Sequence, residues 1–207
     1  MAKVTNQHLD STSLHWLILR GMTVRSMARA FQFVTMGMLW VLLGAGILHA
    51  QQSNPTEYQV KAAYLYNFAK FVQWPTEAKI TNDVFTICVL GQDPFGATFE
   101  AIAGQSMNGK KVVIERMAKP QEALGCRILF ISSSEEKRLK EILATLNQTS
   151  ILTVSDMPHF TGRGGMIQFV MAANKVRFEV NLRSAERTGL TLSSQLLRVA
   201  LTVTTGS

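Results

Sequence analysis

Three groups of residues in this sequence carry side chains suited to chemistry. They are the thiols of Cys88 and Cys126, the serine run Ser132, Ser133 and Ser134, and His159 within SDMPHF (155–160). A thiol pair can form a disulfide or bind a metal, hydroxyls at a helix start can hold an anion, and a histidine beside an acid can act as a general base. Each group also has an ordinary structural role open to it.

The two cysteines favour a disulfide if the chain is exported to an oxidising compartment. Cys88 lies in one predicted strand and Cys126 at the start of another, and these two strands are neighbours in the commonest doubly wound order. The Cα atoms can then approach the roughly 4.4–6.8 Å that a bridge requires. The alternative is two small buried thiols at different heights in the sheet. Metal binding is not expected, because residues 51–207 hold one histidine and no CxxC or HxxxH spacing.

The remaining motifs do not predict catalysis. His159 follows Ser155 and Asp156 closely, but members of a catalytic triad meet through the fold, and no GxSxG motif occurs. The glycines of TGRGGM (161–166) lack the GK[ST] ending of a phosphate-binding loop and precede a strand, which is typical of turn glycines. We therefore predict no catalytic residue, no metal site and no cofactor.

Two surfaces remain as candidates for binding. Ser132, Ser133 and Ser134 follow a predicted strand, at the end where doubly wound folds bind ligands, so they are candidate anion-binding residues with helix capping as the alternative. Tyr66 and Trp74 fall outside the main apolar stripe of the first predicted helix. They either form an exposed patch for a protein partner or cover the sheet edge.

The elements that position these residues alternate between strand and helix patterns. The predicted strands are 85–91, 110–117, 127–132, 151–156, 166–173 and 176–182, the last two joined at Asn174-Lys175, and the predicted helices begin near residues 54, 94, 132, 183 and 193. The first helix is expected to start at Asn54 as the N-cap, with Glu57 reaching back to it. Alternation of buried β runs with helices predicts an α/β fold. We expect a single three-layer sandwich, a mainly parallel sheet with an antiparallel edge pair and helices on both faces.

The first 50 residues have the order of a secretory signal peptide. Three arginines precede the apolar core MGMLWVLLGAGIL (36–48), and Ala50 precedes a polar stretch. We predict a signal peptide over 1–50, with Met22 or Met27 as alternative starts, and a periplasmic domain over 51–207. An uncleaved inner-membrane anchor is the alternative, because no charged residue occurs between Arg29 and Glu57.

The charge pattern does not favour nucleic acid. The formal net charge is +7, but the densest basic pairs, Lys110-Lys111 and Lys137-Arg138, are each followed within four residues by a glutamate. Nucleic-acid binding usually needs basic residues clustered on one face. We therefore expect no nucleic-acid partner.

At seven segments the chain resembles the YfiR family of bacterial periplasmic proteins. They are AAYLYNFAKFVQWP (62–75), FTICVLGQDPFG (85–96), CRILFIS (126–132), ILTVSD (151–156), GGMIQF (164–169), NKVRFEVN (174–181) and LSSQLLRVA (192–200). The resemblance implies an α/β sandwich that is not an enzyme. It also implies that Cys88 and Cys126 match a cysteine pair of the family, while a second pair nearer the C-terminus has no counterpart here.

The resemblance implies a regulatory function. Its expected partner is the periplasmic part of an inner-membrane diguanylate cyclase, whose inhibition lowers cyclic-di-GMP signalling and biofilm formation, and a homodimer is left open. The alternative is a periplasmic small-ligand binding protein, or an envelope enzyme, that uses the crevice at the end of the strand 127–132. Titratable groups converging beside Ser133 would favour that alternative, and an apolar patch without a pocket would favour the regulator.

Overall fold

A computed structural model describes residues 55–75 and 84–205 of the chain, and they belong to one compact unit. The α-helices are α1 (Glu57–Phe71), α2 (Leu139–Thr145), α3 (Leu182–Glu186) and α4 (Ser194–Val199). The strands are β1 (Val72–Gln73), β2 (Val84–Leu90), β3 (Ser106–Met107), β4 (Lys110–Met117), β5 (Ile128–Ile131), β6 (Leu152–Ser155), β7 (Ile167–Ala172), β8 (Lys175–Asn181), β9 (Thr191–Leu192) and β10 (Thr202–Thr204). The predicted signal peptide lies outside the described residues.

The main sheet has eight strands in the order β10-β8-β7-β6-β5-β2-β4-β3. Its five central strands, β4, β2, β5, β6 and β7, are all parallel. Strand β8 runs antiparallel to β7, and β3 runs antiparallel to β4. A separate two-stranded sheet pairs β1 with β9. The predicted mainly parallel sheet is confirmed, and β7 and β8 form the predicted antiparallel pair, with β10 added outside β8.

Residues of the central strands alternate between two apolar layers, because successive side chains in a strand point to opposite faces. On one face, Ile87 and Phe130 pack with α1 residues such as Leu65 and Phe68. On the other face, Leu129 and Ile131 pack with α2 residues such as Leu139 and Ile142. Helices therefore cover both faces of the sheet, which confirms the three-layer sandwich.

The N-cap predicted for α1 is wrong. Thr56 is the N-cap, and its side chain accepts a hydrogen bond from the Gln59 amide while its own amide donates to Gln59 Oε1 at 2.7 Å. Glutamine at the third helical position completes this capping box as well as glutamate does. The helix therefore begins two residues later than the sequence pattern indicated.

Three other local predictions are corrected. The expected helices near residues 94 and 132 are 3₁₀ turns at Gly96–Ala101 and Ser133–Arg138, the second leading into α2. 3₁₀ turns are frequent as short connectors and where an α-helix begins, and the second of these turns is capped by Ser132, whose side chain accepts a hydrogen bond from the Ser134 amide. The turn between β7 and β8 consists of Ala173 and Asn174, one residue earlier than predicted, with φ of +48° and +57°.

Candidate functional site

The carboxyl ends of the parallel strands meet at one edge of the sheet. Gly91 follows β2, Ser132 follows β5 and Asp156 follows β6. The chain leaves β2 toward β4 on one side and later returns to β5 on its other side, so the β2–β5 boundary is a topological switch point. Ligands of doubly wound folds bind outside this edge, at such a switch point.

The crevice at the switch point is filled by the chain itself. Ser132 Oγ accepts a hydrogen bond from the Ser134 amide at 3.3 Å, and Ser134 Oγ accepts one from the Gln92 amide at 3.0 Å. A Cβ on Gly91 would lie 2.5 Å from Ser134 Oγ and 2.7 Å from Glu135 Cγ, so no open space separates the two loops. The serines therefore cap the turn Ser133–Arg138 and close the crevice.

Glu135 places a carboxylate where an external anion would have to bind. Its Oε1 lies 3.4 Å from Ser134 Oγ, and Arg138 Nε donates to its Oε2 at 3.0 Å. An incoming anion would have to displace this carboxylate or tolerate its charge. Anion binding at Ser132, Ser133 and Ser134 stays a prediction, and the Glu135 carboxylate would compete with any external anion there.

A partly buried ion cluster lies a short way along the same edge. Lys61 of α1 is 4% exposed, and its Nζ lies 2.7 Å from Asp156 Oδ2 and 2.5 Å from Glu57 Oε1. The Tyr58 hydroxyl donates to the same Asp156 oxygen at 3.1 Å, and the Lys61 ammonium stands 4.4 Å from the Tyr58 ring centroid. The cluster fastens the first turn of α1 to the end of β6.

The protonation of this cluster argues against nucleophilic chemistry. Burial lowers the pKa of Lys61, but the hydrogen bonds that its ammonium donates to Asp156 and Glu57 raise it by more, so the pKa lies above its ordinary value. Burial and the neighbouring Asp156 carboxylate raise the pKa of Tyr58. Lys61 is therefore a cation and Tyr58 a neutral phenol at neutral pH, and neither is an activated nucleophile or base.

An open groove of about 320 Å³ lies beside the cluster. We call it the β7 groove. Its walls include Glu57 and Lys61 at the start of α1, Asp156 after β6, and Phe169, Val170 and Met171 of β7. No sequence motif marks this groove, although Lys61 stands four residues after Glu57 and Asp156 directly follows a predicted strand. The groove combines fixed charge with apolar surface, which suits binding.

Cys88 and Cys126 form a disulfide, with their Cα atoms 5.9 Å apart. Cys88 lies in β2, and Cys126 lies two residues before the neighbouring strand β5. The intervening Arg127 donates its amide to Thr86 O at 2.9 Å. Both cysteines are fully buried in the layer that contains α2. The bridge joins the two strands that carry the switch point.

Tyr66 and Trp74 lie near the opposite edge of the sheet, and both are half-buried. The Tyr66 hydroxyl donates to Ser106 O of β3 at 3.0 Å. The Trp74 ring packs edge to face on Phe85, near the start of β2, with centroids 5.5 Å apart. Its buried Nε1 meets no hydrogen-bond acceptor among the described residues. The two aromatics therefore cover the amino-terminal edge and leave part of their surface to solvent.

The residues of the rejected triad are occupied separately. The buried Ser155 hydroxyl donates to Ile131 O at 2.7 Å and accepts from the Met157 amide at 3.1 Å. Asp156 is paired with Lys61, and His159 lies exposed in the loop after β6. No group of three or more histidine, cysteine or acidic residues suited to a metal occurs in the described ranges.

The glycines of the same loop serve packing. A Cβ on Gly165 would overlap the buried ring of Phe160, whereas a Cβ on Gly162 would lie 3.5 Å from His159 O, at ordinary contact. Gly165 also donates its amide to Phe160 O at 2.9 Å. The loop packs against the Phe160 ring, so these glycines serve the turn, as the sequence pattern predicted.

Residues 58–201 match the model of one protein family, described as YfiR/HmsC-like. The chain belongs to the YfiR/HmsC-like family. YfiR-like proteins are regulators and not enzymes, and the YfiR family is periplasmic. The matched range contains the disulfide, both half-buried aromatics and all of the β7 groove except Glu57. Family membership therefore supports a regulatory role in general terms.

Two solved structures are similar to this YfiR/HmsC-like chain at low identity. A conserved domain protein from Vibrio cholerae is 12% identical, with a TM-score of 0.49, over 73% of this chain and 61% of that one. An ABC domain in complex with L-Trp from Streptococcus pneumoniae is 13% identical, with a TM-score of 0.46, over 69% of this chain and 60% of that one. The chain thus spans about three-fifths of each of these structures.

Within residues 55–75 and 84–205, no helix of this family member is long and apolar enough to cross a membrane.

Proposed function

We propose that this YfiR/HmsC-like protein is a periplasmic regulator that holds an inner-membrane diguanylate cyclase inactive, and so lowers cyclic-di-GMP and biofilm formation. The observation that supports this most is the family match over residues 58–201. The candidate site agrees with it, because the buried Lys61 and the half-buried Tyr58 at the carboxyl edge are not activated for chemistry. A binding protein fits this arrangement better than an enzyme does.

Inhibition by binding needs no chemistry. A regulator that binds the inactive conformation of a cyclase more tightly than the active one shifts the population toward the inactive state. A difference of about 5.5 kcal/mol in binding free energy moves the equilibrium from 1:99 to 99:1. An interface of ordinary size with a few aromatic anchors can supply this difference.

We place the cyclase-binding surface at the amino-terminal edge of the sheet, with Tyr66 and Trp74 as anchors. Each packs one side on the domain, Trp74 on Phe85 and Tyr66 on the end of β3, and leaves its remaining surface in solvent. Such half-buried aromatics are held in place before binding, so they lose little conformational entropy when a partner covers them. The alternative small-ligand role has less support, because Ser134 and Glu135 fill the switch-point crevice.

Deleting the gene tests this function directly. Cellular cyclic-di-GMP should rise on deletion and fall again when the wild-type gene is restored. Trp74→Ala should restore only part of the repression, whereas Val199→Ala, which truncates a side chain 55% exposed beside Arg177 of β8, should restore all of it. Both variants are compared at equal periplasmic amounts and with their melting temperatures measured. Unchanged cyclic-di-GMP after deletion, with the cyclase expressed, would exclude this function.

Export is tested separately. Protein from a periplasmic fraction should begin near Gln51 when its intact mass is measured, because the signal peptide is expected to end at Ala50. Cytoplasmic protein that retains residues 1–50 would contradict both the localisation and the regulatory proposal. A membrane-bound protein of full mass would support the uncleaved anchor.

A further inference from the structure

Strand β7 extends beyond the strand beside it. The pairing of β6 with β7 ends at Ser155 and Gln168, whereas β7 continues to Ala172 and pairs with β8 along its whole length. The chain turns away after Ser155, because the Met157 amide bonds to the Ser155 hydroxyl and Asp156 is held by Lys61. The outer half of β7 therefore has a neighbour on one side only.

The pairing register shows which backbone groups face the vacant side. The Asn181 amide donates to Met166 O, and alternate residues of an antiparallel strand bond to the same neighbour, so Gln168, Val170 and Ala172 bond toward β8. Phe169 and Met171 direct their N–H and C=O groups to the other side. No described residue pairs with Met171 there. An unpaired strand edge of this kind is a template for another strand.

The β7 groove lies along this unpaired edge and has a charge preference. Lys61 is 4% exposed, but the Glu57 side chain that pairs with it is 44% exposed, so the groove presents a carboxylate rather than an ammonium. Asp156 adds a second carboxylate, 14% exposed, against the single positive charge of Lys61. Met171 supplies apolar surface at 52% exposure.

We propose that the β7 groove binds an extended peptide segment of a partner protein, which adds a strand along Phe169–Ala172 and places a lysine or arginine beside Glu57 and Asp156. The backbone groups of Met171 would supply main-chain hydrogen bonds, and the flexible Met171 side chain would cover an apolar residue of the peptide. The opposite charges would select a basic segment over an acidic one. This site lies at the opposite edge of the sheet from Tyr66 and Trp74, so it does not depend on the cyclase proposal.

The test uses synthetic peptides and the whole exported protein. A fluorescein-labelled octapeptide that alternates valine and lysine should bind saturably when followed by fluorescence polarisation. The same peptide with glutamate in place of lysine should bind at least about tenfold more weakly, because two carboxylates face it. A version N-methylated at every residue loses the donors of both edges and should also bind at least about tenfold more weakly. These comparisons require no change in the protein.

Protein variants locate the binding. Glu57→Gln should weaken binding of the lysine peptide about threefold to tenfold, whereas Glu115→Gln, which removes an exposed carboxylate of β4, should leave it unchanged. In hydrogen exchange, the lysine peptide should slow the Met171 amide. Equal binding of the N-methylated peptide, equal effects of the two glutamine variants, or no saturation at millimolar peptide would overturn the proposal. If the protein forms a dimer that protects the Met171 amide without peptide, the occupant of the groove is a second copy of the chain and the peptide proposal is overturned.

Discussion

Breaking the Cys88–Cys126 bridge should remove a large part of the stability of this domain. The bridge closes a loop with a sequence separation of 38 residues. In the chain-entropy model, a loop of about this length is worth about 4 kcal/mol at 25 °C. Small domains are stable by only about 5–15 kcal/mol in total, so the bridge accounts for a quarter or more of the net stability.

This loss of stability should appear as a measurable fall in the melting temperature. For domains of about 150–250 residues, each kcal/mol shifts the melting temperature by about 2–4 °C, so reduction should lower it by about 8–16 °C. The bridge is fully buried, and a reductant reaches it only when the domain opens. We therefore expect reduction to be slow in native buffer and fast at the urea midpoint.

Cysteine variants separate the bridge from the packing of its sulfur atoms. Either Cys88→Ala or Cys126→Ala alone breaks the bridge, so each should cost about 4 kcal/mol plus about 1 kcal/mol for the lost buried sulfur. The double variant should cost only about 1 kcal/mol more than either single variant. Urea unfolding, followed by circular dichroism, measures the unfolding free energy of all three variants. The free thiols of the wild type are counted in parallel. If the stability losses of the two single variants added up in the double variant, the reasoning would be refuted. Two free thiols in oxidised wild-type protein whose stability is unchanged would refute it as well.

Three further predictions concern residues outside the bridge. Because the folded-state pKa of Lys61 is raised above 10.5, its contribution to stability is full at neutral pH and is lost only as the pH rises through that folded-state pKa. In a Tyr58→Phe background, which removes the neighbouring phenol whose raised pKa would cause an alkaline loss of its own, urea unfolding at pH 7–11 should show the Lys61 loss in the parent and with Lys140→Met but not with Lys61→Met, which also costs about 3 kcal/mol at pH 7; the same alkaline slope with both lysine substitutions would contradict it. Gly165→Ala should lower the unfolding free energy by about 2–3 kcal/mol, because its Cβ overlaps a buried ring, and Gly162→Ala by less than about 1 kcal/mol; equal losses would show that the loop relaxes. Ala173→Gly should raise the melting temperature through a gain of about 0.5–1 kcal/mol, because φ is +48° there, and a lower melting temperature would show that chain entropy dominates.

The sequence predicted the sheet and the disulfide for a common reason. Short continuous apolar runs of β-forming residues such as Ile128–Ile131 indicate strands buried on both faces, and strands of that kind favour a parallel sheet covered by helices. Once β2 and β5 are neighbours, Cys88 and Cys126 come within bridging distance. These inferences depend on patterns that extend over several residues.

The β7 groove could not be predicted in the same way. Lys61 and Asp156 are 95 residues apart, and their contact depends on where α1 crosses the sheet. The edge of β7 is free because β6 stops at Ser155, opposite Gln168. The pairing register of such a short strand cannot be predicted from one sequence. The filling of the switch-point crevice could not be predicted either, because Ser134 and Glu135 contact Gly91 only in the folded chain.

The bridge between Cys88 and Cys126 has a consequence for the fate of the molecule after a peptide bond is cut. The enclosed stretch contains the exposed turn at Asn108 and Gly109, a natural place for a protease to attack. A cut there leaves two fragments that are still joined by the sulfur atoms, with β2 and β5 held in register. On a gel without reductant the nicked protein would run as one band, and in an envelope rich in proteases it would persist as one molecule.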